Sequence, residues 1–238
     1  MKAVDQVCLL YPVDRERVAV AGLSAGASMA ALLVTRHPER FKAVVMHSGI
    51  PPGTARSALS VVGAMHGRRA TMPLKATPVA MAAIWPPLMV IHGGMDDGVA
   101  ATNGHAAAQV WADAAGAHAC AARSVQRGKR YAMTVTDFKC GRKTVSTLVE
   151  VERLGHAWSG GAAKLPFSDG QGPDASRMVW AFAAKQFRAE AILKTPNSGL
   201  VFGRAVARTT ALSVSAAIDR VPRALRRRAG RSPSSRPA

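Results

Sequence analysis

The most informative segment of this chain is Val18-Ala19-Val20-Ala21-Gly22-Leu23-Ser24-Ala25-Gly26. Its first four residues form a short apolar run, which is typical of a fully buried strand. Its last five residues match Gly-x-Ser-x-Gly, the pattern of a serine on a sharp turn between a strand and a helix. Residues 28–35 have the composition of a helix that ends near His37 and Pro38. The segment therefore predicts a strand–turn–helix unit that presents Ser24 at the turn.

The sequence on the C-terminal side of this unit alternates between strand and helix patterns. Apolar runs predict strands at residues 41–46 and 88–91, and alternation predicts a strand near a sheet edge at 147–152. Helical patterns cover residues 104–115 and 174–188. Strands that alternate with helices predict an α/β fold, with a mostly parallel sheet and helices on both faces.

The serine turn has the composition that a catalytic nucleophile needs. Gly22 and Gly26 leave room for a tightly folded backbone on either side of Ser24. The backbone N–H of Ala25, at the start of the following helix, would point at an oxyanion. The alternative is a chance glycine-rich turn, because five-residue patterns recur by accident. Ser48 follows the next strand without the motif and is interpreted as a structural neighbour.

A serine of this kind is followed along the chain by an acid and then by a histidine. Asp96 and Asp97 come just after the predicted strand at 88–91, which is the expected place for the acid. Asp96 is the predicted acid, and Asp97 is the alternative. Either carboxylate could instead cap a turn, which is a common use of aspartate after a strand.

His156 is the predicted general base, since it follows the last predicted strand and has a glycine before it. It would take the Oγ proton of Ser24 and later give it to the leaving group, while Asp96 fixes its tautomer. The other six histidines fit less well. His47 follows the wrong strand, and His92, in a His-Gly pair on the strand of the acid, is interpreted as structural.

The composition is that of one substantial domain followed by a basic tail. The chain has 238 residues, of which 48% are hydrophobic, and no apolar stretch is long enough to span a membrane. Eleven of the 32 Lys and Arg residues lie within 188–238, where only Glu190 and Asp219 oppose them. We predict a catalytic domain over 1–189 and a partly helical or disordered tail over 190–238.

The basic tail has two interpretations. Clustered arginines can hold nucleic acid or an anionic membrane surface by releasing counterions. A solvated extension is preferred, because nothing that reads bases accompanies the charge. The three cysteines show no metal-binding spacing, although Cys120 and Cys140 could form one disulfide in an exported protein.

With these residues in place, residues 14–187 resemble the poly(3-hydroxybutyrate) depolymerase family of esterases, which includes feruloyl and acetylxylan esterases. The segments that carry the resemblance are Asp14-x-x-Arg17-Val18, Gly22-Leu23-Ser24-Ala25-Gly26, His47-Ser48-Gly49-Ile50-Pro51, His92-Gly93-x-x-Asp96-x-x-Val99 with Asn103-Gly104, Gly155-His156-Ala157-Trp158-Ser159-Gly160-Gly161 and Gly172-Pro173-Asp174-Ala175-Ser176. The resemblance implies an α/β-hydrolase fold in which Ser24, Asp96 and His156 are nucleophile, acid and base. No metal or cofactor is implied.

Two departures from the family pattern affect the expectation. Ala27 stands where the family has a second glycine, and a methyl group is expected to be tolerated there. The family's first strands, with the His-Gly loop that supplies the other oxyanion donor, are expected before residue 1, because only 23 residues precede Ser24. A domain incomplete at its N-terminus is therefore expected. Loss of one oxyanion donor costs on the order of 100- to 1000-fold in rate.

The resemblance implies hydrolysis of short-chain polyhydroxyalkanoates or of acyl or feruloyl esters through an acyl-enzyme. The pocket walls are expected from residues 50–85 and from Trp158, which either lines the acyl site or packs in the core. The alternatives are a serine peptidase of the prolyl-oligopeptidase type, or a weakly active fragment whose tail binds anions. The first residues lack the apolar core of a signal peptide, so only the resemblance favours secretion. The acyl preference and the oligomeric state stay open.

Overall fold

The computed structural model describes residues 2–55, 58–67 and 85–194. The chain divides into two units, residues 1–196 and 197–238. The second unit lies outside the described residues, as does the predicted basic tail beyond residue 194. Residues 56–57 and 68–84 of the predicted pocket wall also lie outside them.

The described helices and strands are, in chain order, α1 Lys2–Leu10, β1 Ala19–Leu23, α2 Ala25–Arg36, β2 Ala43–His47, α3 Ala58–Met65, β3 Leu88–Gly93, α4 Thr102–Ala115, β4 His118–Ala119, β5 Arg123–Val125, β6 Met133–Cys140, β7 Lys143–Val151, β8 Trp158–Ser159, β9 Ser168–Asp169 and α5 Ala175–Lys194. A short 3-10 helix at Pro38–Arg40 lies between α2 and β2.

One twisted sheet forms the centre of the first unit. Its strand order is β1-β2-β3-β7-β6-β4, and β5 also pairs with β6. The first four strands of this order are parallel, and β6 pairs antiparallel with β7, β4 and β5. Parallel neighbours need crossover connections, and here helices provide them. The predicted α/β architecture is confirmed.

Helices cover both faces of this sheet, because the buried strands are apolar on both sides. In β2, Val44 and Met46 pack with α2 and α4, whereas Ala43 and Val45 pack on the opposite face with α5. Each large side chain buried in this way contributes about 1.5–3 kcal/mol to stability. The small residues of α2 let it lie close to the sheet directly after Ser24. None of the helices in the described ranges is long and apolar enough to cross a lipid bilayer.

The prediction that residues 147–152 form a strand near a sheet edge is wrong. The strand β7 lies between β3 and β6, and most of its residues are buried. Its polar side chains have partners within the fold. The hydroxyl of Thr147 donates to Asp137 at 2.7 Å, and Glu150 pairs with His105 at 2.7 Å. The alternation therefore reflects polar side chains that pair with neighbouring elements and not an edge position.

The prediction that the first strand is fully buried is also wrong. Among the described residues β1 pairs with β2 alone, and its residues are half-buried or exposed. Sequence reasoning missed the strand β6. Its buried residues Met133, Val135 and Phe138 are separated by polar residues, which weakens the hydrophobic pattern of a strand. The final helix α5 continues to Lys194, past the predicted end near Arg188.

Candidate active site

Ser24 lies on a tight turn between β1 and α2, as the sequence predicts. Its φ of 56° and ψ of −121° are unusual for a residue with a side chain. A Cβ on Gly22 would lie 2.3 Å from the carbonyl carbon of Gly26, so only glycine allows this close approach. A Cβ on Gly26 would meet no described atom within 4 Å. The turn therefore requires the first glycine of the motif more strictly than the second.

Two contacts fix the backbone around this turn. The N–H of Ser24 donates to the carbonyl oxygen of His47 at 2.8 Å, which ties the turn to the end of β2. Ala27, the departure from the family pattern, is fully buried. A Cβ on Gly49 would lie 2.7 Å from the Cβ of Ala27. The methyl group of Ala27 is accommodated because residue 49 has no side chain.

Asp96 lies just beyond the end of β3, and its side chain is fully buried. Its Oδ1 accepts the backbone N–H groups of Gly98 at 3.0 Å and Val99 at 2.7 Å. Burial would raise the pKa of Asp96, but hydrogen bonds from Val99, His156 and Ser48 outweigh it and hold the pKa below its ordinary value. The alternative acid, Asp97, is exposed.

His156 lies in the loop after β7 and contacts Asp96 directly. Its Nδ1 is 3.0 Å from each carboxylate oxygen of Asp96. The carboxylate can only accept, so we place the imidazole proton on Nδ1, which leaves Nε2 as the basic nitrogen. A Cβ on Gly98 would lie 3.0 Å from Cγ of His156, so a glycine there lets the ring approach the acid.

The structure joins two of the three predicted triad residues. Asp96 and His156 form a hydrogen-bonded pair. Within the described residues, no hydrogen bond joins the hydroxyl of Ser24 to His156. Catalytic hydrogen bonds are often long in unliganded structures and tighten when substrate binds. The contact between nucleophile and base therefore stays a prediction.

A cavity of about 770 Å³ opens beside Ser24. This volume is within the usual range of small-molecule sites. The lining is mostly apolar and comes from α2, from the loop after β2 and from α3. Its residues are Ser24, Ala25, Ser28, Met29, Leu32, Arg36, Ile50, Pro51, Pro52, Gly53, Ala55, Val61, Met65 and Val99. The loop after residue 50 is thus a pocket wall, as predicted.

Trp158 is absent from that lining and packs elsewhere. Its ring stacks on His47, with centroids 5.2 Å apart, and its Nε1–H donates to Ser176 Oγ at 3.1 Å. These contacts correspond to the packing role that sequence analysis left open. A contact of Trp158 with substrate stays a prediction.

His92 is buried behind the acid. Its Nε2 lies 2.9 Å from the carbonyl oxygen of Val99 and 3.6 Å from Asp96 Oδ2. Burial lowers its pKa, so the ring is neutral. Its Nδ1 has no hydrogen-bond partner among the described residues. The three cysteines, all within the described ranges, are unpaired in the structure.

A parallel sheet covered on both faces, a serine on a strand-to-helix turn and an Asp–His pair beyond later strands define the α/β-hydrolase fold. Residues 1–130 match the model of the family described as Esterase PHB depolymerase, and the chain belongs to that family. The resemblance seen in the sequence is confirmed. The matched residues include Ser24 and Asp96 but end before His156.

Two solved structures illustrate the similarity of fold. An acetyl xylan esterase from Aspergillus awamori is 20% identical, with a TM-score of 0.50 over 64% of this chain and 59% of its own. A PHB depolymerase complexed with an R3HB trimer is 15% identical, with a TM-score of 0.51 over 73% of this chain and 52% of its own. This chain therefore spans somewhat more than half the length of either protein. No curated protein sequence matches it.

Proposed function

We propose that this protein hydrolyses carboxylic esters through an acyl-enzyme on Ser24. The observation that carries the proposal is the buried Asp96–His156 pair, with Nδ1 held at 3.0 Å by the carboxylate. Membership of an esterase family supports the same chemistry. The turn at Ser24 supplies the nucleophile, because this residue has the strained backbone of a strand-to-helix turn and lines an apolar cavity.

In the first half of the reaction, Ser24 Oγ attacks the ester carbonyl carbon and Nε2 of His156 takes the hydroxyl proton. The negative charge then develops on the carbonyl oxygen. The backbone N–H of Ala25, in the first turn of α2, has no intrahelical partner and is available to that oxyanion. The tetrahedral intermediate breaks its bond to the alcohol, which leaves with the proton from His156.

In the second half, water attacks the acyl carbon while Nε2 of His156 takes a water proton. The acid leaves and the proton returns to Ser24 Oγ. Asp96 stays ionised throughout, since its hydrogen bonds lower its pKa. Its charge stabilises the imidazolium that forms twice in each cycle.

The apolar lining of the cavity favours a substrate whose acyl group is apolar and lies beside Ser24. Methionine, leucine, isoleucine and proline side chains surround it, with Arg36 as the charged residue of the lining. Short-chain hydroxyalkanoate esters and acyl or feruloyl esters both fit this chemistry. Secretion is a further part of the proposal and is based on the family alone.

The test is hydrolysis of p-nitrophenyl acetate and butyrate by the unmodified chain and by Ser24→Ala. Ser146→Ala is a matched control, because Ser146 is a fully buried serine on β7 whose hydroxyl donates to Ala108 at 2.9 Å. We expect activity that Ser24→Ala abolishes and Ser146→Ala retains. Full activity in Ser24→Ala would exclude Ser24 as nucleophile, and an inactive unmodified chain would overturn the proposal. A parallel p-nitroanilide assay separates an esterase from a peptidase.

A further inference from the structure

The end of β2 contacts the segments that carry all three proposed triad residues. The carbonyl oxygen of His47 accepts the N–H of Ser24 at 2.8 Å. The ring of His47 accepts the backbone N–H of Ser159 at Nε2, at 3.2 Å, and stacks on Trp158. Trp158 and Ser159 lie just after His156. One fully buried residue therefore holds both the turn of the nucleophile and the loop of the base.

The next residue, Ser48, extends these contacts to the acid. Its N–H donates to the carbonyl oxygen of Ile91 at 2.9 Å, which ties it to β3. Its Oγ lies 3.3 Å from Nδ1 of His47. A hydrogen bond from the side chain of Ser48 is also among the causes that lower the pKa of Asp96, so the hydroxyl faces that carboxylate. Ser48 is fully buried, so water does not compete for these contacts.

The direction of the hydrogen bonds follows from the state of His47. Burial is the main reason that the pKa of His47 is lowered to about 3, so the ring is neutral. A neutral imidazole has one donor and one acceptor nitrogen. Since Nε2 accepts from Ser159, Nδ1 carries the proton and donates to Ser48 Oγ. The hydroxyl proton of Ser48 is then left for the carboxylate of Asp96.

The backbone conformation of Ser48 indicates that its hydroxyl has a function in the site. Its φ is 51°, in the left-handed region that glycine occupies at lower cost. Strained residues with side chains persist where the surrounding structure holds them, and they cluster at functional sites. A glycine would satisfy the turn of the backbone at residue 48 but would supply no donor to Asp96.

We propose that His47 and Ser48 form a positioning pair for the proposed triad. His47 anchors the loop that carries His156, and Ser48 orients the carboxylate of Asp96 that receives Nδ1–H. The effect of this pair on catalysis rests on the proposed function. Neither His47 nor Ser48 is among the residues that line the cavity, so both act through Asp96 and His156.

The test compares the full chain with Ser48→Ala, Ser48→Gly and His47→Phe, and uses Ser146→Ala as the matched buried-serine control. Ser48→Ala and Ser48→Gly both remove the hydroxyl, but glycine suits the positive φ and is expected to melt at a higher temperature than alanine. His47→Phe keeps a ring against Trp158 and removes both nitrogens. Three readouts are the melting temperature, kcat and KM on p-nitrophenyl butyrate, and the far-downfield proton resonance of His156 Nδ1–H.

We expect kcat to fall about 10- to 100-fold in the three variants with KM unchanged, by analogy with the loss seen when a hydrogen-bond partner of a metal-binding side chain is removed. The two Ser48 variants are expected to lose equal activity although they differ in melting temperature. A merely structural role would make activity follow stability instead. The Nδ1–H resonance, assigned by its loss in His156→Gln, is expected to broaden or shift in all three variants and to stay unchanged in Ser146→Ala.

The resonance separates failure of this inference from failure of the proposed function. If the unmodified chain is inactive, the proposed function fails, while the resonance still reports the Asp96–His156 pair. An unaltered resonance in Ser48→Gly and His47→Phe would overturn the inference, whatever the kinetics. A missing resonance in the unmodified chain would overturn it as well. If Ser48→Ala does not fold, the activity and the resonance of Ser48→Gly are compared with those of Ser146→Ala instead.

Discussion

Two adjacent turns, one after β1 and one after β2, each carry a serine with a positive φ, 56° at Ser24 and 51° at Ser48. They differ in exposure and in composition. Ser24 lines a cavity and lies within Gly-x-Ser-x-Gly, whereas Ser48 is fully buried beside His47. Backbone strain therefore does not by itself identify a nucleophile. Access to a cavity separates the hydroxyl of the proposed nucleophile from the one that we propose supports the site.

The two turns also contact each other. The N–H of Ser24 bonds to His47, and Gly49 lies against Ala27 of α2. The second turn also reaches the segment of Asp96, which holds His156 and receives the hydroxyl of Ser48. The variants below test whether the exposed turn performs the chemistry while the buried turn supports it.

Among the variants that follow, the largest effect is expected from Asp96→Asn, because Asp96 holds His156 and receives the hydroxyl of Ser48. An amide at this position cannot hold the Nδ1–H tautomer of His156 in the same way, and kcat is expected to fall about 10⁴-fold. Steady-state kinetics with p-nitrophenyl butyrate give the value. Asp97→Asn is the control, because that exposed carboxylate contacts neither turn among the described residues and is expected to leave kcat unchanged. Equal losses in both variants would exclude Asp96 as the single acid.

The buried turn is expected to make stability depend on pH. His47 has a pKa of about 3 in the folded state and an ordinary value of 6.5, and His92, Asp96 and His156 act on it electrostatically. The unfolded chain then binds the extra proton between these values, so the free energy of unfolding falls as pH drops from 6.5 towards 3. The contribution of His47 is roughly 5 kcal/mol at most.

Urea unfolding at pH 7, 6, 5 and 4 measures this dependence. His47→Phe removes the titrating ring, so its stability is expected to vary less over the same interval. His118→Phe is a control, because His118 of β4 is exposed. His92 is also buried with a lowered pKa and keeps part of the dependence. A pH dependence as steep in His47→Phe as in the unmodified chain would contradict a neutral, buried His47. Asp96 has a lowered pKa, so its contribution is present above its ordinary value of 3.8 and is lost only at more acid pH.

The two glycines of the serine motif are expected to respond differently to the same substitution. In Gly22→Ala the new methyl group would meet backbone of Gly26 and Ala27, and we expect a loss of about 1–3 kcal/mol or more. In Gly26→Ala it would meet open space within α2, where alanine gains roughly 0.5–1 kcal/mol over glycine. Thermal unfolding distinguishes the two. Equal destabilisation would mean that the close approach at Gly22 does not limit the turn.

The smallest effect is expected from Trp158→Phe. The variant keeps an aromatic ring against His47 and loses the hydrogen bond from Nε1 to Ser176, which is worth about 0.5–1.5 kcal/mol. We expect a slightly lower melting temperature with unchanged kcat and KM. A raised KM would instead support the predicted contact between Trp158 and substrate.

Sequence patterns predicted the parts of the site that depend on local geometry and chain order. Ser24 was predicted because a strand–turn–helix motif is local, and Asp96 because it follows a strand. The preference for Asp96 over Asp97 agrees with its burial and its two backbone donors. The position of His156 followed from chain order, and its contact with Asp96 is present in the structure.

Patterns failed where neighbours came from distant parts of the chain. Alternation along β7 suggested a sheet edge, but β3, which is distant in sequence, pairs with β7 on the side opposite β6. The roles of His47 and Ser48 depend on Ser159, which is 112 residues away from His47. Sequence analysis excluded His47 as the base because of the strand that it follows, and it interpreted Ser48 as a structural neighbour. A buried serine after a strand, outside any motif, has no local signal that separates packing from positioning.

The amino-acid sequence by itself determined the family, the α/β order of elements and the turn that presents Ser24, because these depend on local periodicity, on glycine at one position and on order along the chain. Only the tertiary structure decided which strand lies inside the sheet, that Trp158 packs on His47, and that the end of β2 connects the segments of the acid, the base and the nucleophile. Those features depend on long-range packing and on directed hydrogen bonds between buried groups, and neither is encoded in the spacing of a single segment.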